Sequence, residues 1–112
     1  MVKVQAIIRE EQIDAVVERL RMIRVRGLTV FPVKGAGDVG EHQAFFRGGA
    51  YPVPFISKLC VEWYGPDEEG DAVVRSILHS AATGATGDGN IFVEPVEEAV
   101  RIRTGERGLG AV

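Results

Sequence analysis

Thr83-Gly84-Ala85-Thr86-Gly87-Asp88-Gly89-Asn90-Ile91-Phe92-Val93 sets three glycines and an aspartate directly before an apolar, β-like run. Glycine admits φ > 0 and lets another group approach the main chain, and successive exposed N–H groups in such a turn make an anion-binding nest. Two readings stand side by side: a tight connection into a strand, or one wall of a phosphate site. Arg101-Ile102-Arg103 follows a few residues later. If that segment is a short strand, alternation puts both arginines on one face, and paired guanidinium groups suit phosphate oxygens.

Working outward from this stretch, apolar residues at 73, 74, 77, 78 and 81 predict a helix before it, with Asp67 as its cap. Upstream, Val2–Arg9 and Leu28–Lys34 read as strands, separated by a helix over Glu10–Ile23 whose stripe is Ile13, Val16, Val17, Leu20 and Ile23. Pro32 places the second strand at an edge or bulge. Lys58–Tyr64 reads as a third strand and Asn90–Val93 as a fourth, with Val100–Arg103 a last short one. The order β-α-β-β-α-β is the ferredoxin-like α+β arrangement, with two helices on one face of an antiparallel sheet. Ile7, Val30, Val61 and Trp63 are candidates for the uncovered face, which favours oligomerisation. The segment from Gly35 to Ser57 has no period and many Gly and Pro residues, and a loop of that length is usually functional or disordered. We expect one domain over 1–112, a projecting loop at about 37–56 and a mobile tail at about 105–112.

Composition bounds the function. Thirteen Lys and Arg against 16 Asp and Glu leave a net charge of −3, which argues against nucleic acid as a partner. No apolar run reaches a membrane span, and Met1–Gln5 lacks a signal-peptide core. Cys60 is the sole cysteine, expected to be buried and inert; no internal disulfide or cysteine zinc cage can form. His42 and His79 are too isolated to predict a metal site. A cytoplasmic, non-enzymatic protein is expected, since no residue pair forms an oriented base and nucleophile, and Asp88 alone is a weak basis for a nucleotide hydrolase.

Several stretches together resemble the P-II nitrogen regulatory proteins along essentially the whole chain: Ala6–Arg9, Gly27–Val30, Val33–Gly35, Phe46-Arg47-Gly48 with Tyr51, Thr83-Gly84 with Gly87–Gly89, Ile91–Val93 and Arg101–Glu106. The resemblance implies a compact homotrimer of signalling subunits that bind ADP or ATP, with AMP a further candidate, in the clefts between subunits. It also implies a projecting T-loop that docks on a target protein, which could be a membrane transporter. Nitrogen regulation is the family default. The positions it points to are Thr29, Gly35, Gly37, Glu62 and Tyr64 on the adenine and ribose side, and Gly87, Asp88, Gly89, Asn90, Arg101 and Arg103 on the phosphate side. Lys58 matches the residue that helps hold 2-oxoglutarate, and Arg47 and Tyr51 lie in the partner loop, Tyr51 at the family's uridylylation position. Thr29 and Glu62 also read simply as strand residues, and Lys58 as an ion-pair partner.

Departures from the pattern matter as much. Val39 stands where the family carries a Mg²⁺-holding glutamine, and valine offers a hard cation no oxygen. Asp38 and Glu41 would repel a dicarboxylate. Asn90 replaces a phosphate-contacting lysine. An alternative expectation is therefore a divergent sensor of ADP or AMP and a small anion such as bicarbonate, without 2-oxoglutarate sensing, acting on a transporter or carbon metabolism.

Overall fold

A computed structural model describes residues 1–37 and 55–112. Expectations resting on Asp38, Val39, Glu41, His42, Arg47 and Tyr51 lie outside the described residues.

Four strands, β1 (Val2–Arg9), β2 (Thr29–Gly35), β3 (Ile56–Gly65) and β4 (Gly89–Pro95), form one antiparallel sheet in the order β2-β3-β1-β4. Helices α1 (Ile13–Met22) and α2 (Asp67–Ala81) lie together across it. This is the expected ferredoxin-like α+β architecture. It puts β2 at an edge, where the missing N–H of Pro32 breaks no ladder. The chain enters α1 through a 3-10 turn at Glu10–Gln12.

The core sits between helices and sheet. Val16 and Leu20 of α1 and Val73, Ile77 and Ala81 of α2 meet Val4, Ala6, Ile8, Val61 and Trp63. That corrects one expectation: Val61 and Trp63 are under the helices, not on the open face. The register pairs them with Ala6 and Val4, and pairs Val30 with Val61, so period-2 alternation carries all of them to the helix side. Of the four candidates Ile7 alone faces away, across from Cys60. Both faces of β3 carry apolar residues, so its sequence alone could not choose between them.

The helix stripes are narrower than expected. Ile23 is exposed, and Leu78 is 58% exposed on the flank of α2 beside the β4 edge. Asp67 does not cap α2: Pro66 is the cap residue, and the Asp67 carboxylate instead lies 2.8 Å from the N-terminal ammonium. The short strand at Val100–Arg103 is absent too. Residues 102–104 form a turn, closed by Gly105 N–H donating to Arg101 O (2.7 Å) and Arg101 N–H donating to Glu106 O (2.8 Å). Ile102 is fully exposed at its tip. Val100 makes only an isolated antiparallel bridge to Arg107, so Val100–Arg103 has no strand ladder to join, and the left-handed Gly105 (φ 74°) turns the chain back.

α1 ends in a Schellman motif, Arg24 N–H donating to Arg21 O and Val25 N–H to Leu20 O. Its left-handed position, normally glycine, is Arg24 at φ 60°. Replacing it should relieve backbone strain: Arg24→Gly is expected to stabilise the fold by about 0.5–1 kcal/mol, a rise in melting temperature of roughly 2–4 °C. A fall in calorimetric melting temperature would contradict this.

Candidate functional site

The open face of the sheet and its two ends carry the expected binding residues, and the topology sorts them into two groups.

The first group gathers at the loop end of β2 and β3 and around the turn before β4. Gly35 is opposite Ile56, and Lys58 is opposite both Val33 and Arg9. Arg9 and Lys58 project from adjacent strands toward the Thr83–Gly89 turn. Lys58 Nζ donates to the Gly87 carbonyl, and Arg9 Nη2 donates to the Thr86 carbonyl at 2.6 Å. At Gly87 (φ 96°) the position a side chain would occupy lies 3.3 Å from Arg9 Nη2 and 3.7 Å from Lys58 Nζ. Two cations thus converge on the glycine turn, as an anion site requires. Asn90, the second residue of β4, is on the same face, opposite Ile7. Gly37 is described and open, with nothing within 4 Å of the Cβ it lacks.

Asp88 is placed differently from a ligand. Its carboxylate accepts hydrogen bonds from Thr83 N–H (2.8 Å), Gly84 N–H (2.9 Å) and the Thr83 hydroxyl, and pairs with Arg9 Nε at 3.0 Å. Those bonds, the Thr83 hydroxyl first, hold its pKa far below the usual carboxylate range. With its lone pairs committed, Asp88 fastens the turn and keeps the neighbouring N–H groups in position. Sequence reasoning missed the parts played by Arg9 and Thr83, because only the β1–β4 register, which pairs Ile8 with Gly89, and the return of the turn bring them to Asp88.

The second group lies at the far end of the same strands. Thr29 is opposite Glu62, and Thr29, Glu62 and Tyr64 line a pocket of about 470 Å³ that also involves Leu28, Val100 and the C-terminal Val112. Its floor is polar and tied down. Glu62 accepts a hydrogen bond from Gln5 Nε2 (2.7 Å) and one from the Tyr64 hydroxyl (3.3 Å), and lies 3.5 Å from Lys3 Nζ. The Gln5 bond, helped by Lys3, lowers the Glu62 pKa, while burial pushes the Tyr64 phenol and the Cys60 thiol up. Arg101 and Arg103 follow Val100 on the exposed turn, and among the described residues neither makes an ion pair. They are not on one strand face as expected; the turn that carries them follows Val100, which lines this pocket, while neither arginine lines it. The tail, expected to be mobile, folds back as a 3-10 turn at Gly108–Ala111.

A pH dependence follows from the two lowered carboxylates. Glu62 ordinarily titrates near 4.5 and Asp88 near 3.8, so the stability each contributes is complete above those values and is lost as pH falls through the lower folded-state pKa. Melting temperature should therefore decline below about pH 4.5. Glu62→Gln should lower it at neutral pH, where Lys3 loses the nearer of its two carboxylate partners, and make the acid decline shallower. An unchanged acid slope in that variant would contradict the assignment.

Six positions separate Lys58 from Tyr64 on one extended strand, roughly 20 Å. A single chain therefore keeps the Gly87 turn and the lined pocket apart. Among the described residues there is no cluster of three or more His, Cys, Asp or Glu able to hold a metal, and no helix is long and apolar enough to cross a membrane.

Comparisons with known proteins agree with this architecture. The family model described as Nitrogen regulatory protein P-II matches residues 1–106. The nitrogen regulatory protein P-II of Rhizobium meliloti (strain 1021) is 45% identical over 112 residues, the whole of both chains. That of Haemophilus influenzae is 41% identical, again over the whole of both. Among solved structures, the crystal structure of Arabidopsis thaliana PII bound to citrate superposes with a TM-score of 0.80 at 37% identity, covering 99% of this chain and 91% of that one. On sequence over its full length and on fold, the chain belongs to the nitrogen regulatory protein P-II family.

Proposed function

We propose that this signalling regulator works as a homotrimer that takes an adenine nucleotide at each cleft between neighbouring subunits and passes its state to a target protein through the loop at about 37–56. The observation that carries this is the division of the site. The Gly87 turn with Arg9 and Lys58 is at one end of the sheet, and the Thr29–Glu62–Tyr64 pocket with the Arg101–Arg103 turn is at the other. Head-to-tail association would join the anion-binding end of one subunit to the pocket end of the next, which a ring of identical subunits does at every interface. An edge strand with exposed apolar residues supports such packing: Phe92 is 49% and Val93 54% exposed on β4. In this arrangement Gly87, Gly89 and Asn90 face phosphates with Arg101 and Arg103 from across the cleft. Gly35 and Gly37 connect that site to the loop, so ligand contacts there could favour one loop state over another.

Asn90 and Val39 favour a second reading of the effector. An uncharged Asn90 leaves the phosphate end one cation short and favours ADP or AMP over ATP, and valine at 39 makes Mg²⁺ an unsuitable bridge to a dicarboxylate. Arg9 and Lys58 would then hold a small anion such as bicarbonate; the Arabidopsis relative, solved bound to citrate, shows an anionic ligand on this fold. Regulation of a transporter or of carbon metabolism fits that effector. Asp88, committed to its own turn, is poorly placed to act as a catalytic base, so a regulator fits better than an enzyme.

Titration calorimetry with AMP, ADP and ATP, each alone and with bicarbonate or 2-oxoglutarate, tests both readings, with sedimentation to establish the trimer. ADP or AMP is expected to bind at least as tightly as ATP. ATP tighter than ADP by about tenfold, ~1.4 kcal/mol, would overturn the preference, and no binding of any nucleotide would overturn the function.

A further inference from the structure

A groove of about 490 Å³ runs between α1 and α2, and no strand residue lines it. Helix spacing explains the hollow. Ala72, Ser76 and His79 recur at intervals of four and three and so share one stripe of α2, and the first two are too small to fill the space in front of them. Across it stand Met22, 66% exposed, and Ile23, 41% exposed. The charge around the hollow is one-sided. Arg19, Arg75 and His79 line it, and among the described residues no carboxylate does. Arg19 makes no ion pair among the described residues, and Arg75 pairs with Asp71, four positions earlier on the same helix. Both members of that pair are exposed, and exposed pairs contribute little, so another carboxylate can take the place of Asp71 at small cost. The segment from Arg19 to Arg26 adds to the same sign: it holds four arginines and no acid, in a chain whose net charge is −3. None of the groove residues belongs to the Gly87 turn or to the pocket of Thr29, Glu62 and Tyr64.

We infer that this groove docks a short acidic segment of a partner protein, one large apolar side chain seated over Ala72 and Ser76 against Met22 and Ile23, with flanking carboxylates on Arg19 and Arg75. Charge complementarity selects the occupant. A guanidinium fork matches a carboxylate at two points, and an apolar anchor in a hollow with a charged rim is the usual arrangement of a compact docking site. A membrane surface fits less well. A concave hollow receives a protruding side chain, whereas an interfacial helix inserts a convex apolar face, and a chain of net charge −3 gains little from anionic lipid. The groove stands whether or not a nucleotide binds elsewhere. In a trimer it would occur three times, giving a partner a hold additional to any made by the loop at about 37–56.

The test begins with selection from a phage-displayed library of random peptides, about twelve residues long, on the full chain. Enriched sequences are expected to carry two or more Asp or Glu around one Leu, Ile, Met or Phe. They are then made synthetically, labelled with fluorescein and titrated by anisotropy against two variants. Arg19→Glu with Arg75→Gln removes the charge, and Ala72→Leu fills the hollow without changing charge. Each is expected to weaken the peptide by about tenfold or more, with the melting temperature hardly moved. If Ala72→Leu fails to fold, Met22→Gln, at an exposed position, takes its place by the same criteria. The inference is overturned if no acidic and apolar consensus emerges, or if both variants bind the peptide within about twofold of the parent. Weakening by one variant alone overturns it as well, since it leaves either unspecific attraction or a purely apolar contact. Two further results assign the groove to another occupant and overturn it: binding of the full chain to phosphatidylserine vesicles that the charge variant loses, or concentration-dependent assemblies in sedimentation, larger than a trimer, that the charge variant disperses. Failure of the nucleotide titrations above touches none of these outcomes.

Discussion

Gly89→Ala is expected to destabilise the fold more than any other exchange in the Thr83–Gly89 turn. Gly89 has φ 105°, and a Cβ there would lie 2.8 Å from the Ile7 carbonyl carbon and closer still to its oxygen. The obstacle is backbone in the central strand β1, paired with β4 at this point through Ile8 and Gly89, so it cannot swing aside. A left-handed non-glycine residue costs about 1–3 kcal/mol and the overlap with fixed backbone about 1–3 kcal/mol more. The sum, about 2–6 kcal/mol, is a large share of the roughly 5–15 kcal/mol that holds a domain together. Melting temperature should fall by roughly 10 °C or more. The same exchange at Gly84 and Gly87 calibrates it. Gly84 (φ 85°) has nothing within 4 Å, and Gly87 meets only the side-chain ends of Arg9 and Lys58 at 3.3 Å and beyond, so each should lose little beyond its backbone strain, about 1–3 kcal/mol. Equal losses at all three positions would show that close strand approach is not what selects glycine at 89.

That difference among three glycines marks how far the sequence could be read. The helices and strands were legible because the period of Ile13, Val16 and Leu20, and of Val73, Ile77 and Ala81, survives folding intact. The side of the sheet on which Val61 and Trp63 fall was not, since it depends on a register with β1 that no local pattern fixes. Arg101 and Arg103 were legible as a pair but not as a turn: alternation is necessary for a strand, yet a strand also needs a partner ladder, and Gly105 turns the chain before one can form. The 3-10 turn of the tail was hidden for a related reason, because its shape rests on backbone bonds to Ala99 and Leu109 rather than on apolar pattern. The site was legible as a list of residues and illegible as a division. Only the topology shows that Lys58 and Tyr64 stand at opposite ends of one strand, and that Asp88, a ligand candidate by position, spends its carboxylate on Thr83, Gly84 and Arg9.

The double exchange Arg101→Ala with Arg103→Ala is expected to abolish most nucleotide affinity while leaving the fold intact. The two side chains are on a turn whose tip, Ile102, is fully exposed, and the bonds that shape the turn are main-chain ones from Arg101 N–H and Gly105 N–H, which alanine retains. Melting temperature without ligand should therefore hardly move. A charge-assisted hydrogen bond to a phosphate contributes about 1.5–3 kcal/mol, so losing two costs about 3–6 kcal/mol, or roughly a hundredfold to ten-thousandfold in affinity. Because Asn90 already withholds a cation from the phosphate end, only Arg9 and Lys58, both bonded to the glycine turn, remain to compensate. The loss should be greatest for ATP, smaller for ADP and least for AMP, and wild-type binding should weaken as salt rises while the residual binding of the variant should not. Affinities within about twofold of wild type, less than ~0.5 kcal/mol, would return both arginines to the status of surface charges and leave the Gly87 turn with Arg9 and Lys58 as the whole of the anion grip.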